Sequence, residues 1–438
     1  MLISQIGGWT ADMWGALIGL FNFIPSWGWM IIVFTVCLKL VLSPLDFWQK
    51  KMARASAQKQ AILQPEIAKL QKKFGNNKQM LNQKTMELYK RENYNMFGSC
   101  IGMLINMALT LFIFMTLFYA LIGIGQTQIY NQYDALRVDY NEKFSQAFAI
   151  SNTETEIANK EAEIWTAAYN TAEEDNPQTE GETDADYEKR IYSIALQNYA
   201  STSTGSTDFL TIADIQNDVL NVYNTEVKQS WLWVANIWRP DTNASAFPDY
   251  STFVSSVNFY STTEYTTELN KQITYAVEAL GENPSDADVT TATATATSQV
   301  QKDFENQYNF VTYSVQNSYS GWNGYFILTI LAAVITYFSV TISQMQSHKK
   351  KKDETQIQTQ NGEKSPVDAG KAMKFMKFLL PVLMIIFTIG YNAAFALYIV
   401  TNSIMATLLS FVFLKFFEKQ EKKKTISITT KNKPDYSR

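Results

Sequence analysis

Long apolar segments constrain the fold of this chain more than any other feature. A helix needs about 20 mostly apolar residues to cross about 30 Å of hydrocarbon, and stretches of that length recur in the 438-residue sequence. Polar segments between them bring the mean hydropathy below zero. The apolar residues are therefore clustered as in a membrane protein and are not dispersed as in soluble cores.

The apolar pattern predicts five membrane spans, at residues 26–48, 98–124, 322–345, 373–392 and 393–417. Before them, residues 1–25 carry large apolar side chains at helical spacing and no Lys or Arg. This pattern predicts an amphipathic helix at the membrane surface, with an additional span as the alternative. Residues 49–97 have a helical pattern with a break at Gly75-Asn76-Asn77, which predicts a helical hairpin.

Charge predicts the orientation of these spans. Residues 49–97 hold 11 Lys or Arg and 3 Asp or Glu, whereas residues 125–320 hold 9 Lys or Arg and 29 Asp or Glu. Short loops rich in Lys and Arg stay in the cytoplasm. The hairpin, the loop 346–372 and the basic tail 418–438 are thus predicted inside, and the N-terminus and the acidic region 125–321 outside, as in a multi-pass protein of the cell membrane.

The outer region is long enough to form a domain. Its pattern predicts helices at Ala158–Thr171 and Glu264–Leu280, and turn-rich or low-complexity segments at Glu173–Asp186 and Thr290–Ser298. The predicted fold class is therefore an all-α membrane protein, with a five-span helical core, a cytoplasmic helical hairpin and a large, mostly helical extracytoplasmic insertion.

Few residues are suited to covalent or metal chemistry. The single histidine, His348, precedes a lysine run, and Cys37 and Cys100 lie in apolar stretches. One histidine is too few for a histidine-based metal site and leaves little basis for a Ser-His or Cys-His nucleophile. No disulfide framework is indicated. We predict neither an enzyme nor a cofactor.

Lys39 lies near the middle of the first span, where an ammonium group costs about 2.5 to 3.5 kcal/mol. One alternative is that the Lys39 side chain snorkels to the interface near Trp48. The nine residues between them span about 13 Å of helix, which is beyond easy reach of a lysine side chain. Pairing with Asp46, seven residues on and on the same helix face, is another. The functional interpretation is that Lys39 lines a hydrated cavity among the spans.

Other polar residues in the spans are candidates for the same cavity. Singly, each is more often a hydrogen-bonding residue in helix packing, but together they indicate a hydrophilic groove within the bilayer. The candidates are Thr35, Asn106, Thr336, Tyr398, Thr401 and Asn402.

Several short motifs resemble the YidC/Oxa/Alb family of membrane protein insertases in order and spacing. They are Thr35–Leu45 (TVCLKLVLSPL), Leu63–Ile67 (LQPEI), Met86–Lys90 (MELYK), Asn95–Cys100 (NMFGSC), Trp231-Leu232-Trp233 with Pro240-Asp241, and Leu397-Tyr398 with Asn402. The resemblance covers the five-span core, roughly half the chain. It implies a groove that is open to cytoplasm and lipid, with a basic residue at position 39, into which hydrophilic parts of a client enter.

The sequence also departs from the family. The resemblance implies Arg where Lys39 stands, and Lys lacks the bidentate fork for carboxylates. Ile399 replaces an aromatic, Asn392-Ala393-Ala394 replaces the usual turn, and the second span lacks prolines. The family does not explain residues 127–228 and 243–320, and the large folded domain of relatives from two-membrane bacteria is not recognisable, which suggests a Gram-positive-type, single-membrane bacterium.

The implied partners are nascent membrane proteins, with the Sec translocon as a further candidate. The basic hairpin and tail suit anionic lipid and, equally, the ribosome; no DNA partner is expected. Two other functions stay open: a transporter or channel, although neither internal repeats nor a broken-helix site is recognisable, and a surface receptor or adhesin anchored by the spans.

Overall fold

A computed structural model of the chain describes residues 12–75, 77–92, 96–281, 284–355 and 369–431, with side chains omitted at 53–54, 56–62, 64, 96–107, 343–355, 369–376, 418 and 421–431. These residues form helices, turns and two isolated β-bridges. The all-α fold class is thereby confirmed. Residues 1–11 of the predicted amphipathic helix lie outside the described part, and residues 12–19 are helical.

After the helical residues 12–19, the next three helices are α1 (Trp27–Phe74), α2 (Lys78–Arg91) and α3 (Met96–Phe148). The break between α1 and α2 falls at the predicted Gly-Asn-Asn turn, of which Asn76 is not described. Asn77 begins α2 by accepting a hydrogen bond from the backbone N–H of Met80 at 3.0 Å. This side chain satisfies one of the N–H groups that a helix start leaves without a partner.

The acidic region 125–321 contains α4 (Glu154–Asp175), α5 (Asp184–Ala200), α6 (Ile212–Val222), α7 (Tyr250–Val257), α8 (Thr263–Glu278) and α9 (Asp286–Tyr319). A π-helical turn at Tyr223–Val227 follows α6. The last helices are α10 (Ile327–Thr355), α11 (Ala369–Gly390) and α12 (Ala393–Lys431).

Three helical segments are long and apolar enough to cross a membrane, within the described part of the chain. They are Trp27–Met52, Ala108–Phe148 and Ala393–Phe417. Ile327–Ile342 and Lys377–Gly390 are apolar but shorter. A membrane protein is thus supported, and the number of five spans stays a prediction.

Thr290–Ser298 lie inside α9, so this low-complexity segment is helical and the alternative of a turn-rich segment is wrong. Ser285 caps the helix by accepting from the Asp288 N–H at 3.2 Å. The threonine hydroxyls, instead of competing with the helix, donate to carbonyls one turn earlier: Thr290 to Asp286 O at 2.7 Å and Thr291 to Ala287 O at 2.9 Å. Alternating alanines supply the helix propensity that threonine lacks.

The chain divides into two compact units. Unit 1 comprises residues 1–121, 328–387 and 394–438, and unit 2 comprises residues 122–327 and 388–393. In unit 2, α4 packs on α5, and α9 packs on α6 and α8. Its core is aromatic: the Tyr199 and Phe310 rings stack at 4.0 Å, and the Tyr308 and Phe253 rings lie 4.7 Å apart.

Candidate functional site

A cavity in unit 1 lies among α1, α3 and α12. Its lining includes residues at helical spacing on α1, so one face of that helix forms a wall. The second and third walls come from one turn of α3 and one turn of α12. The lining residues are Thr35, Leu38, Lys39, Leu42, Leu45, Asp46, Leu109, Thr110, Ile113, Phe114, Tyr398 and Asn402.

This cavity has room for water. The space open to the centres of water molecules is about 70 Å³, whereas one water needs about 10 to 15 Å³ on that measure. Half of the lining residues have polar side chains, so water held there would find hydrogen-bond partners. The cavity is therefore a suitable environment for charged groups inside an otherwise apolar bundle.

Lys39 and Asp46 form an ion pair within this cavity. The distance between Lys39 Nζ and Asp46 Oδ2 is 3.0 Å, and the two side chains are 15% and 22% exposed. The residues are two helical turns apart on one face of α1, about 10.5 Å of rise. The extended lysine side chain bridges that separation. The pair therefore neutralises the ammonium group without removing it from the cavity.

Pro44 lies between the two charged residues and modifies the helix there. Proline has no N–H, so the carbonyl of Leu40 loses its helical hydrogen bond. The Ser43 hydroxyl donates to that carbonyl at 2.8 Å. The Ser43 hydroxyl thus takes the place of the N–H that Pro44 lacks, and α1 stays helical between Lys39 and Asp46.

Thr35 contributes to the wall one turn before Lys39. Its side chain is 1% exposed, and its hydroxyl donates to Ile31 O at 2.6 Å. This bond commits the hydroxyl proton to the backbone of α1. The Thr35 oxygen then faces its surroundings as an acceptor, which suits an ammonium group or water better than a carboxylate.

Four of the seven predicted site residues line this one cavity: Thr35, Lys39, Tyr398 and Asn402. Thr401 is buried, and Thr336 is half-buried on α10, but neither lines the cavity. The side chain of Asn106 lies outside the described residues. The role of all seven in binding a client stays a prediction.

Neither Thr110 nor the apolar wall residues were predicted from the sequence, and pairing of Lys39 with Asp46 was predicted only as an alternative to the cavity. In the structure both occur at once: Lys39 pairs with Asp46, and both residues line the cavity. Thr110 follows Asn106 by four residues, so the helical period of α3 was a signal that would have found it.

Comparison with known proteins matches part of the chain to one family. Residues 19–167, about a third of the chain, match the family model described as 60Kd inner membrane protein. The resemblance predicted from the motifs is confirmed over this segment, which includes α1, α2 and α3. No solved structure matches the chain.

Three curated relatives carry the name membrane protein insertase YidC. The protein of Dechloromonas aromatica is 34% identical over 120 residues, which are 26% of this chain and 20% of the relative. That of Buchnera aphidicola is 40% identical over 102 residues (23% and 18%). That of Leptospira interrogans is 44% identical over 82 residues (19% and 12%). The chain spans a fifth or less of the length of these relatives.

Proposed function

We propose that this chain is a membrane protein insertase, because residues 19–167 match a family whose curated members carry that name and because a polar cavity lies among its apolar helices. Its clients are nascent membrane proteins. Insertion makes and breaks no covalent bond, so the activity is that of a chaperone and requires no enzymatic chemistry.

The observation that carries the proposal is the charged pair of Lys39 and Asp46 inside this cavity. Moving a polar segment into hydrocarbon costs several kcal/mol for each group left without a partner. A hydrated cavity lowers that cost by offering water and polar side chains part of the way across. Burial of the client's apolar helix in lipid then supplies the driving force.

The orientation that suits this function has the N-terminus outside and the C-terminus in the cytoplasm. The exposed basic residues of the hairpin support it, because Lys and Arg near spans stay inside and attract anionic lipid at about 1 kcal/mol each. They are Lys51, Lys69, Lys72, Lys73, Lys78, Lys90 and Arg91. The same surface is the candidate contact for a ribosome, and the Sec translocon is a further candidate partner.

The test uses bacteria depleted of their own insertase and supplied with this full chain. A client with an acidic translocated tail reports insertion through protease protection. We expect Lys39→Gln to reduce insertion, Lys39→Glu to reduce it further and Lys39→Arg to retain it. Lys271→Glu, a charge reversal at an exposed lysine of α8, is the matched control and should insert as wild type does.

Normal insertion of every client by Lys39→Glu would overturn the cavity mechanism. A transporter or channel would instead pass solute through the purified full chain in sealed vesicles. Solute flux without insertion of a client in the same vesicles would replace the insertase proposal with that second function.

A further inference from the structure

Asp46 occupies the position that a client's carboxylate would need. It lies in the cavity wall, and its Oδ2 atom is 3.0 Å from Lys39 Nζ. An aspartate from a client would bring the same carboxylate chemistry to the same ammonium group. The resting chain therefore already holds an internal equivalent of an acidic client residue.

The Lys39–Asp46 pair is only partly removed from solvent, with 15% and 22% of the two side chains exposed. Fully buried pairs are costly to open, because each charge is left without water or a partner. Solvent-exposed pairs are worth little net free energy, because water replaces the lost partner. The space for water in this cavity brings the Lys39–Asp46 pair closer to that case. A client carboxylate that enters the hydrated cavity can thus displace Asp46 from Lys39, because water can solvate the Asp46 carboxylate that is released.

Asp46 also has a second ammonium group within reach. Lys50 follows it by four residues on α1, the spacing at which an acid and a following lysine pair on a helix. Lys50 Nζ now donates to Ser410 Oγ at 2.6 Å and lies 5.2 Å from the centre of the Phe413 ring. Asp46 can therefore exchange Lys39 for Lys50 when a client carboxylate arrives.

We propose that Asp46 is a specificity-determining residue that competes with acidic client segments for Lys39. The inference rests on the proposed insertase function. With Asp46 in place, Lys39 selects weakly for acidic tails, because each client carboxylate must displace an existing partner. Without Asp46, the unpaired ammonium group selects strongly for them.

The experiment measures insertion of two clients that differ only in their translocated tail, one with two aspartates and one with two asparagines. Full-length chain in vesicles of zwitterionic lipid inserts each client, and the readout is the acidic-to-neutral ratio. Asp46→Asn should raise this ratio about twofold to fivefold, within the range set by a single ion pair that water can reach. Asp46→Glu keeps the carboxylate and should restore the wild-type ratio.

Two further variants separate competition from a structural effect. Lys39→Gln/Asp46→Asn should give the low ratio of Lys39→Gln, because Asp46 acts only through Lys39. Asp12→Asn makes the same chemical change at an exposed residue and should leave the ratio at the wild-type value. The melting temperature of each variant in detergent identifies a variant that has simply lost its fold.

The outcomes distinguish this inference from the proposed function. If wild-type chain inserts clients but a folded Asp46→Asn leaves the ratio unchanged or lowers it, the competition is wrong and the insertase stands. An equal rise in the double variant also overturns the inference, since Lys39 would then play no part. If wild-type chain inserts neither client, the proposed function itself fails.

Discussion

Asn236 and Asn323 hold each other through reciprocal hydrogen bonds in unit 2. The backbone N–H of Asn236 donates to Asn323 Oδ1 at 2.7 Å, and Asn323 Nδ2 donates back to Asn236 O at 2.9 Å. Asn323 Nδ2 also reaches Pro240 O at 2.8 Å. Both asparagines are completely buried. One side chain thus satisfies three backbone groups of the loop that follows the Trp-Leu-Trp motif.

We expect Asn323→Ala to destabilise unit 2 by about 2 to 4 kcal/mol, since the change leaves these buried backbone groups without partners. Thermal unfolding of the full chain in detergent, together with protease sensitivity at residues 230–246, measures the effect. Asn317→Ala, at an exposed asparagine near the end of α9, is the control. Equal stability of the two variants would contradict this account.

The buried carboxyl group of Glu161 predicts a pH-dependent stability. Its Oε1 atom has no hydrogen-bond partner among the described residues, and the side chain is 4% exposed. Burial raises the pKa of Glu161 to about 8. The folded state thus binds this proton more tightly than the unfolded chain does. Binding of this proton therefore stabilises the folded state fully below the ordinary carboxyl pKa, and this stabilisation is lost as the pH rises to about 8.

Glu161→Gln removes that ionisation. We expect the variant to match wild type near pH 4.5 and to gain about 1.4 kcal/mol per pH unit above it, up to roughly 3 to 5 kcal/mol by pH 8. Denaturation of the full chain across this range measures the difference. Glu163→Gln, at an exposed carboxylate of the same helix, should show no such trend. A difference independent of pH would show that Glu161 is not the titrating group.

Local patterns in the sequence predicted much of the helical structure, whereas contacts between distant residues were out of reach. The helices predicted at Ala158–Thr171 and Glu264–Leu280 lie within or close to α4 and α8, because apolar spacing and capping residues act within one segment. The stack of Tyr199 on Phe310 joins residues 111 positions apart. No local period encodes such a pair, so the aromatic core was not predicted.

The candidate site was partly predictable for a similar reason. Lys39 was identifiable because a charge at mid-span depth is costly. Asp46 was identifiable as a partner from helix geometry, but the sequence could not decide between a closed ion pair and a hydrated cavity. That distinction depends on how α3 and α12 pack beside α1, which places Thr110 and Asn402 at the cavity and leaves Thr336 away from it.

Gly324 lies against Asp241, and we expect Gly324→Ala to destabilise unit 2. A β-carbon on Gly324 would overlap Asp241 Oδ1, the same atom that accepts from the Tyr325 N–H at 2.9 Å. Relieving the overlap requires a backbone shift of about 1 to 3 kcal/mol. Gly321→Ala is the matched control, since its β-carbon would meet nothing within 4 Å. The full-length Gly324→Ala variant should melt at a lower temperature than Gly321→Ala, and equal melting temperatures would exclude this clash.

Phe395 joins α12 to α3 in unit 1, and we expect Phe395→Ala to loosen that contact. The side chain is completely buried, with its ring 4.9 Å from Phe118 and 5.9 Å from Phe114. Truncating a buried phenylalanine costs about 3 to 5 kcal/mol in soluble cores. The expected cost here is about 2 to 3 kcal/mol, because lipid replaces water as the solvent of the separated helices and only the packing term remains.

Unfolding of the full chain by SDS in mixed micelles, followed by circular dichroism, measures this cost. Phe411→Ala on the same helix, where the ring is 44% exposed, should shift the unfolding midpoint much less. Because Tyr398 lies one turn after Phe395 and lines the cavity, the loss should also reduce insertion of every client by a similar factor, whatever the charge of its tail. A reduction confined to acidic tails would mean that Phe395 acts through Lys39 and not through packing.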